Sequence, residues 1–146
     1  MYIAINLYPK KITYCMAKRK TILAYGRALL EPISLWEELM GLCDTLVIET
    51  QQRFNSANYV QSPIISIAHK NKMKIVEIHP SIWQAKILYP EVHEDIKTSK
   101  QFKMLKEIGK EKASLRTNGK NKIKNIDLAD VINLSTYYYT QLKGTR

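Results

Sequence analysis

The chain has 146 residues, enough for one domain with a sizeable core. Its 45% hydrophobic and 25% charged content is ordinary for a globular protein, and no apolar run approaches the 18 residues that would suggest a membrane span. Lys and Arg outnumber Asp and Glu by 23 to 13, a formal charge of +10, so the expected partner is a polyanion, with nucleic acid ahead of a membrane surface.

Met1-Tyr2-Ile3-Ala4 enters a strand pattern at once, with no basic segment leading into an apolar one. No secretion signal is read, and the expected location is the cytoplasm or the host-cell compartment that holds DNA. Cys15 and Cys43 fit no metal spacing and read as reduced thiols. Residues 2 to 7, Ile12 to Ala17 and Thr21 to Tyr25 each alternate in polarity, separated by Pro9-Lys10-Lys11 and Lys18-Arg19-Lys20. This predicts a three-stranded antiparallel meander. Ser34 is expected to cap a short helix, with Glu37 and Glu38 in its first turn and Leu35, Trp36, Leu39, Met40 and Leu42 as its apolar face.

Thr45 to Ile48 is continuously apolar, which predicts a strand covered on both faces. Ser56 to Asn71 reads as a helix turning Ile64, Ile65, Ile67 and Ala68 inward, with Pro63 implying a late start or a kink. Lys74 to Ile78 is a further strand, stopped by His79-Pro80, and Ser81 opens a short helix through Leu88. From Thr98 or Ser99 the stripe Phe102, Leu105, Ile108, with Met104 beside it, predicts a helix that decays through Gly109 and Asn118-Gly119. A final helix runs from about Ile126 to Leu142. Together these predict a single α/β domain over 1–146, with a mixed five-stranded sheet, its first three strands antiparallel, and helices on both faces. That order is RNase H-like.

Four polar residues stand at chosen points of this frame. Asn6 closes the first strand, Glu49 ends the fourth, and Asp127 and Asp130 lie one turn apart at the start of the last helix. Singly, an acid after a strand is a solvated loop entry, and Asp127 is a charge that complements the helix dipole. Converging, such groups hold Mg²⁺ against a phosphate. Between residues 97 and 124 there are ten Lys and Arg against Glu107 and Glu111, which is +8 of the total. A solvated helix face explains such a run in isolation; beside a carboxylate site it reads as a phosphate track, with Lys97, Lys100, Lys103, Lys120 and Lys122 as candidate DNA contacts. His79 and His93 have no partners at ligand spacing, and Tyr137-Tyr138-Tyr139 reads as core and dimer surface.

Ile3-Ala4-Ile5-Asn6, Val47-Ile48-Glu49-Thr50-Gln51 and Asp127-Leu128-Ala129-Asp130 resemble the three acidic motifs of RuvC-type Holliday junction resolvases, especially the short viral and mitochondrial branch. The resemblance implies an endonuclease that resolves four-way DNA junctions by paired, Mg²⁺-dependent phosphodiester hydrolysis. It further implies two ions per site, for which Mn²⁺ substitutes, and a homodimer, because two symmetric nicks need two sites. It implies metal ligation by Glu49, Asp127, Asp130 and the position of Asn6, where that family carries an aspartate. Lys100 resembles a lysine near the scissile phosphate, Lys86 lies in the region of another, and Phe54 resembles an aromatic at the junction crossover, with core packing as its equal rival.

Asn6 departs from that pattern, because an amide is a poor bridge between two dications and should leave this form weakly active or inactive. Two origins stay open. An introduced substitution that traps a substrate complex is the reading preferred; natural divergence has room because Leu7-Tyr8-Pro9 stands where a Gly is usual. The alternative function is a non-catalytic junction- or branched-DNA-binding protein of the same fold. A basic assembly or RNA-associated protein would instead hold Glu49 and Asp127 too far apart to share an ion.

Overall fold

Alternation of side chains along short β-rich runs builds one sheet. The computed structural model describes residues 1–7, 11–50, 55–88, 99–117 and 122–144, without the side chains of 55–62, 99–102 and 143–144. Strands β1 (Tyr2–Asn6), β2 (Ile12–Lys18) and β3 (Thr21–Ala28) pair antiparallel, while β4 (Thr45–Glu49) and β5 (Lys74–Ile78) add in parallel. The strand order is β3-β2-β1-β4-β5, with β1 parallel to β4 in the register Ile5↔Ile48. Helices α1 (Ile33–Gly41), α2 (Asn55–Lys70), α3 (Pro80–Ile87), α4 (Ser99–Arg116) and α5 (Ile126–Gly144) complete the order. Among the described residues no helix is long and apolar enough to cross a membrane.

Because successive strand residues face opposite ways, the sheet has two apolar sides. Tyr2, Ala4, Cys15, Ala17 and Val47 share a cluster with Trp83 of α3, Leu105 and Ala113 of α4, and Ala129 and Ile132 of α5. Ile3, Ile5, Ile12, Met16, Leu46 and Ile48 share the other with Trp36 and Met40 of α1 and Ile64, Ile67 and Ala68 of α2. Helices therefore cover both faces, which is why β1 and β4 are apolar at nearly every position. The same alternation carries Asn6, two residues beyond Ala4, and Glu49, two beyond Val47, toward the side of α3 and α5.

Several expected boundaries move. Ser34 is not a cap: α1 begins at Ile33 behind Pro32, with no side-chain cap and no acid in its first turn. The preset φ of Pro32, −78°, starts the helix without a hydroxyl. Pro63 neither delays nor ends α2, which runs from Asn55, because burial of Ile64, Ile67 and Ala68 outweighs one missing N–H. β3 extends to Ala28, its pairing with β2 carrying it past Tyr25. Met104 is 45% exposed; Leu105 and Ile108 face the core as expected, and the inward stripe of α4 continues through Gly109 and Ala113. Gly109 is thus a packing position, not the point where the helix decays.

Asn133 of α5 donates its Nδ2–H to the Gly109 carbonyl at 3.0 Å, tying α4 to α5. A Cβ at Gly109 would meet only Asn133 Nδ2 and Leu88 Cδ2, each at 3.6 Å, an ordinary contact. Gly109→Ala should therefore be accepted and stabilise the fold by roughly 0.5–1 kcal/mol, through lower entropy of the unfolded chain. A lower midpoint in urea unfolding would contradict this.

Candidate active site

The parallel pairing of β1 and β4 brings two polar residues level with each other. Ile5 pairs with Ile48, so Asn6 and Glu49, one step further along each strand, end side by side at the carboxyl edge of the sheet. Neighbouring strands run about 4.8 Å apart, which is within reach of a shared small ligand. Asn6 also pairs with Thr13 of β2, and Thr13 donates its hydroxyl to the Asp127 backbone carbonyl at 3.2 Å. That bond pins the first turn of α5 over the end of β1. Asn125 starts the helix: its Oδ1 accepts from Leu128 N–H at 3.0 Å.

Electrostatics link the three carboxylates. Burial pushes the Asp130 carboxyl up to about 7, and the negative charges of Glu49 and Asp127 push in the same direction, with Lys106 opposing. Burial also raises Glu49, offset by a hydrogen bond from Trp83 and by the charge of His79. Trp83 Nε1–H donates to Glu49 Oε1 at 2.9 Å. His79 caps α3, its Nδ1 accepting from Ser81 N–H at 3.2 Å. Asn6 is only 3% exposed, whereas Glu49, Asp127 and Asp130 are half-buried. The amide thus lies deeper than the three carboxylates, because Asn6 is still held in the β1–β2 ladder.

Oxygen donors alone, from carboxylates and an amide, suit a hard cation such as Mg²⁺. Among the described residues no three His, Cys, Asp or Glu side chains form a ready metal cage. The fit rests instead on the donor chemistry and on the raised Asp130 carboxyl, since buried acids under the influence of like charges are what a dication relieves.

Among the sequence-predicted DNA contacts, Lys103 and Lys122 are exposed. Lys97, Lys120, Phe54 and the side chain of Lys100 lie outside the described residues, as does His93. Lys86 is exposed in the last turn of α3. Lys103 and Lys106 stand three residues apart on α4, and the charge of Lys106 is the smallest of the influences on Asp130, the one that opposes its rise. Not all of the basic run looks outward: Lys110 binds Glu107 at 3.1 Å, and the Arg116 guanidinium lies 5.9 Å from the Tyr139 ring centroid with its Nε and Nη2 buried. Tyr137 and Tyr138 are core residues.

Sequence reasoning passed over Trp83, Lys106 and Thr13 and set His79 aside. The one available signal was His79-Pro80 directly after a strand, a helix-start pattern that places Trp83 in the first turns of α3, close to the end of β5.

No protein-family model matches the chain, and no curated protein matches it by sequence. Solved structures do match. Thermus thermophilus RuvC in complex with a Holliday junction substrate superposes with a TM-score of 0.71 at 9% identity, covering 99% of this chain and 98% of that one. Thermus thermophilus RuvC in a second structure gives 0.67 at 12% identity, over 98% and 97%. The fowlpox virus Holliday junction resolvase gives 0.65 at 15% identity, over 96% and 98%. At such identities the likeness establishes the fold alone: a RuvC-like, RNase H-like arrangement.

Proposed function

We propose that this RuvC-like chain is a structure-selective nuclease domain that resolves four-way DNA junctions, working as a homodimer with two Mg²⁺ ions per site. The observation that carries the proposal is the electrostatic meeting of Asp130 with Glu49 and Asp127, at the sheet edge where β1 and β4 end, on a fold shared with resolvases solved on junction DNA. Glu49, Asp127 and Asp130 would hold the ions, with the Asn6 carbonyl as a weak fourth donor. When bound, such ions supply activation of a water and charge compensation at the leaving 3′ oxygen.

The chain's own residues do the rest. Thr13 holds Asp127 in register with β1. Lys103 and Lys106 give α4 the positive charge that draws a phosphodiester backbone in, with Lys97 and Lys100 extending the same segment. Phe54, soon after Glu49, would stack on a base at the crossover. A second reading, a junction- or branched-DNA-binding protein that does not cut, is favoured by Asn6 itself.

Both readings predict junction binding by the chain as it stands. Gel-shift titration at fixed salt is expected to give affinity for a four-way junction roughly tenfold or more above that for linear duplex. Equal affinities would overturn the proposal. Replacing Lys97, Lys100 and Lys103 together by Ala should flatten the dependence of log K on log salt by up to about 0.9 per lost phosphate contact, with little change in stability. An unchanged slope would show that these lysines face only solvent.

A further inference from the structure

We infer that Trp83 is a positioning residue for Glu49: its indole N–H fixes the carboxylate in the orientation a divalent cation would meet, without using up the negative charge that cation needs. The inference rests on the metal-dependent reading above and deepens it.

Glu49 sits at the last position of β4, where the backbone is still held, since Thr50 N–H donates to the Ile78 carbonyl at 3.0 Å. Its side chain has three rotatable bonds, and neither the ladder nor its half-exposed setting selects among them. Trp83 does. The indole is 0% exposed and belongs to the apolar cluster of Val47, Ile78, Leu88 and Ile132, so its two torsions are set by packing. The Nε1–H projects from that rigid ring to Glu49 Oε1 at 2.9 Å.

Two features of the indole matter chemically. It donates and cannot accept, so it matches the ionised carboxylate and has nothing to offer an acid O–H directed at it. It is also neutral. A Lys or Arg in the same place would orient the carboxylate equally well but would compete with a dication for its charge. With Oε1 engaged by Trp83, Oε2 and the remaining lone pair of Oε1 stay available to an ion. His79 attracts Glu49 as well, but only as a cation, and protonating Nδ1 would remove the acceptor that Ser81 N–H uses to cap α3. The donor of Trp83 carries no such condition.

The chain supplies its own control. Trp36 is equally buried and donates Nε1–H to the Leu29 carbonyl at 2.9 Å, on the opposite side of the sheet and far from any carboxylate of the site. Each tryptophan makes one hydrogen bond of the same length, so replacing either by Phe removes a comparable structural interaction.

The test is Mn²⁺ affinity by titration calorimetry on the full chain and on its Asn6→Asp form, each with Trp83→Phe or Trp36→Phe added. Trp83→Phe is expected to weaken Mn²⁺ binding by about tenfold or more, the usual effect of losing an outer hydrogen bond to a ligating group, while Trp36→Phe leaves it as in the parent. A second readout needs no substitution: the Trp83 indole ¹⁵N–¹H resonance should shift saturably with added Mg²⁺ while that of Trp36 stays in place. Mn²⁺ binding by the Trp83→Phe form that equals the Trp36→Phe form, or a Trp83 resonance unmoved by Mg²⁺ that calorimetry detects, overturns the inference and leaves the metal-dependent reading standing. Absence of Mn²⁺ binding by every form, Asn6→Asp included, overturns that reading and this inference with it.

Discussion

Asn6→Asp is expected to turn weak or absent cleavage into Mg²⁺-dependent nicking of four-way DNA junctions, with a gain of at least about 10²-fold in single-turnover rate. Asn6 ends β1 level with Glu49, so a carboxylate there would join the field that Glu49, Asp127 and Asp130 already share. The amide brings one neutral carbonyl oxygen, whereas Mg²⁺ is held best by charged oxygens. Charge stabilisation by a well-held dication is worth several kcal/mol, and each ~1.4 kcal/mol is a decade of rate. The same substitution has a second effect of opposite sign. Asn6 is 3% exposed, so a new carboxylate there is buried among like charges and should lower the melting temperature in EDTA. Saturating Mg²⁺ should then raise the melting temperature of the variant more than that of the parent, because binding to the folded state alone is stabilising. A folded Asn6→Asp protein that stays silent on junctions with Mg²⁺ and with Mn²⁺ would assign the chain to the non-cleaving class of junction binders.

Asp130→Asn should stabilise the metal-free protein at pH 8 while abolishing its divalent-cation binding. Burial first, then Glu49 and Asp127, lift the Asp130 carboxyl from 3.8 to about 7. A folded-state value above the unfolded one means that the folded chain holds the proton more tightly. Stability contributed by this group is therefore fully present below about pH 4, declines as pH rises toward about 7, and is absent above that. A rise of that size corresponds to roughly 4 kcal/mol, an upper bound given the partial exposure of the site. Glu49, also raised, adds in the same direction. The asparagine form has no such proton to lose, so its melting temperature in EDTA should fall less than the parent's between pH 5 and pH 8. Saturating Mg²⁺ should flatten the parent's profile and leave the variant's unchanged. A parent that becomes more stable from pH 5 to pH 8 in EDTA would show that the carboxylates do not oppose one another.

These two substitutions pull stability and chemistry apart, which is the usual condition of a site built from like charges. Asn6 relieves the metal-free fold of one such charge, and Asp130 retains another.

The periodicity of the chain was enough to locate β1, β4 and β5 to within a residue, because alternation and a short apolar run are local properties. It also placed Asn6 and Glu49 at strand ends and Asp127 in the first turn of α5. Local signals misled where a longer-range term was larger. Pro63 reads as a breaker in isolation, yet α2 passes through it because its apolar face is buried against the sheet. Ser34 has the chemistry of a cap, but Pro32 sets the backbone two residues earlier.

Only the tertiary structure decided which polar groups come within electrostatic range of one another. The register Ile5↔Ile48 makes neighbours of residues 43 positions apart, and no pattern within either strand encodes it. Trp83 reaches Glu49 because β5 lies beside β4 and α3 folds back from its end; the charge of Lys106 acts on Asp130 because α4 packs on α5. Periodicity reports how each segment divides its side chains between core and solvent. A carboxyl raised to about 7 depends instead on burial and on charges brought close through space, quantities that exist only once the chain has folded.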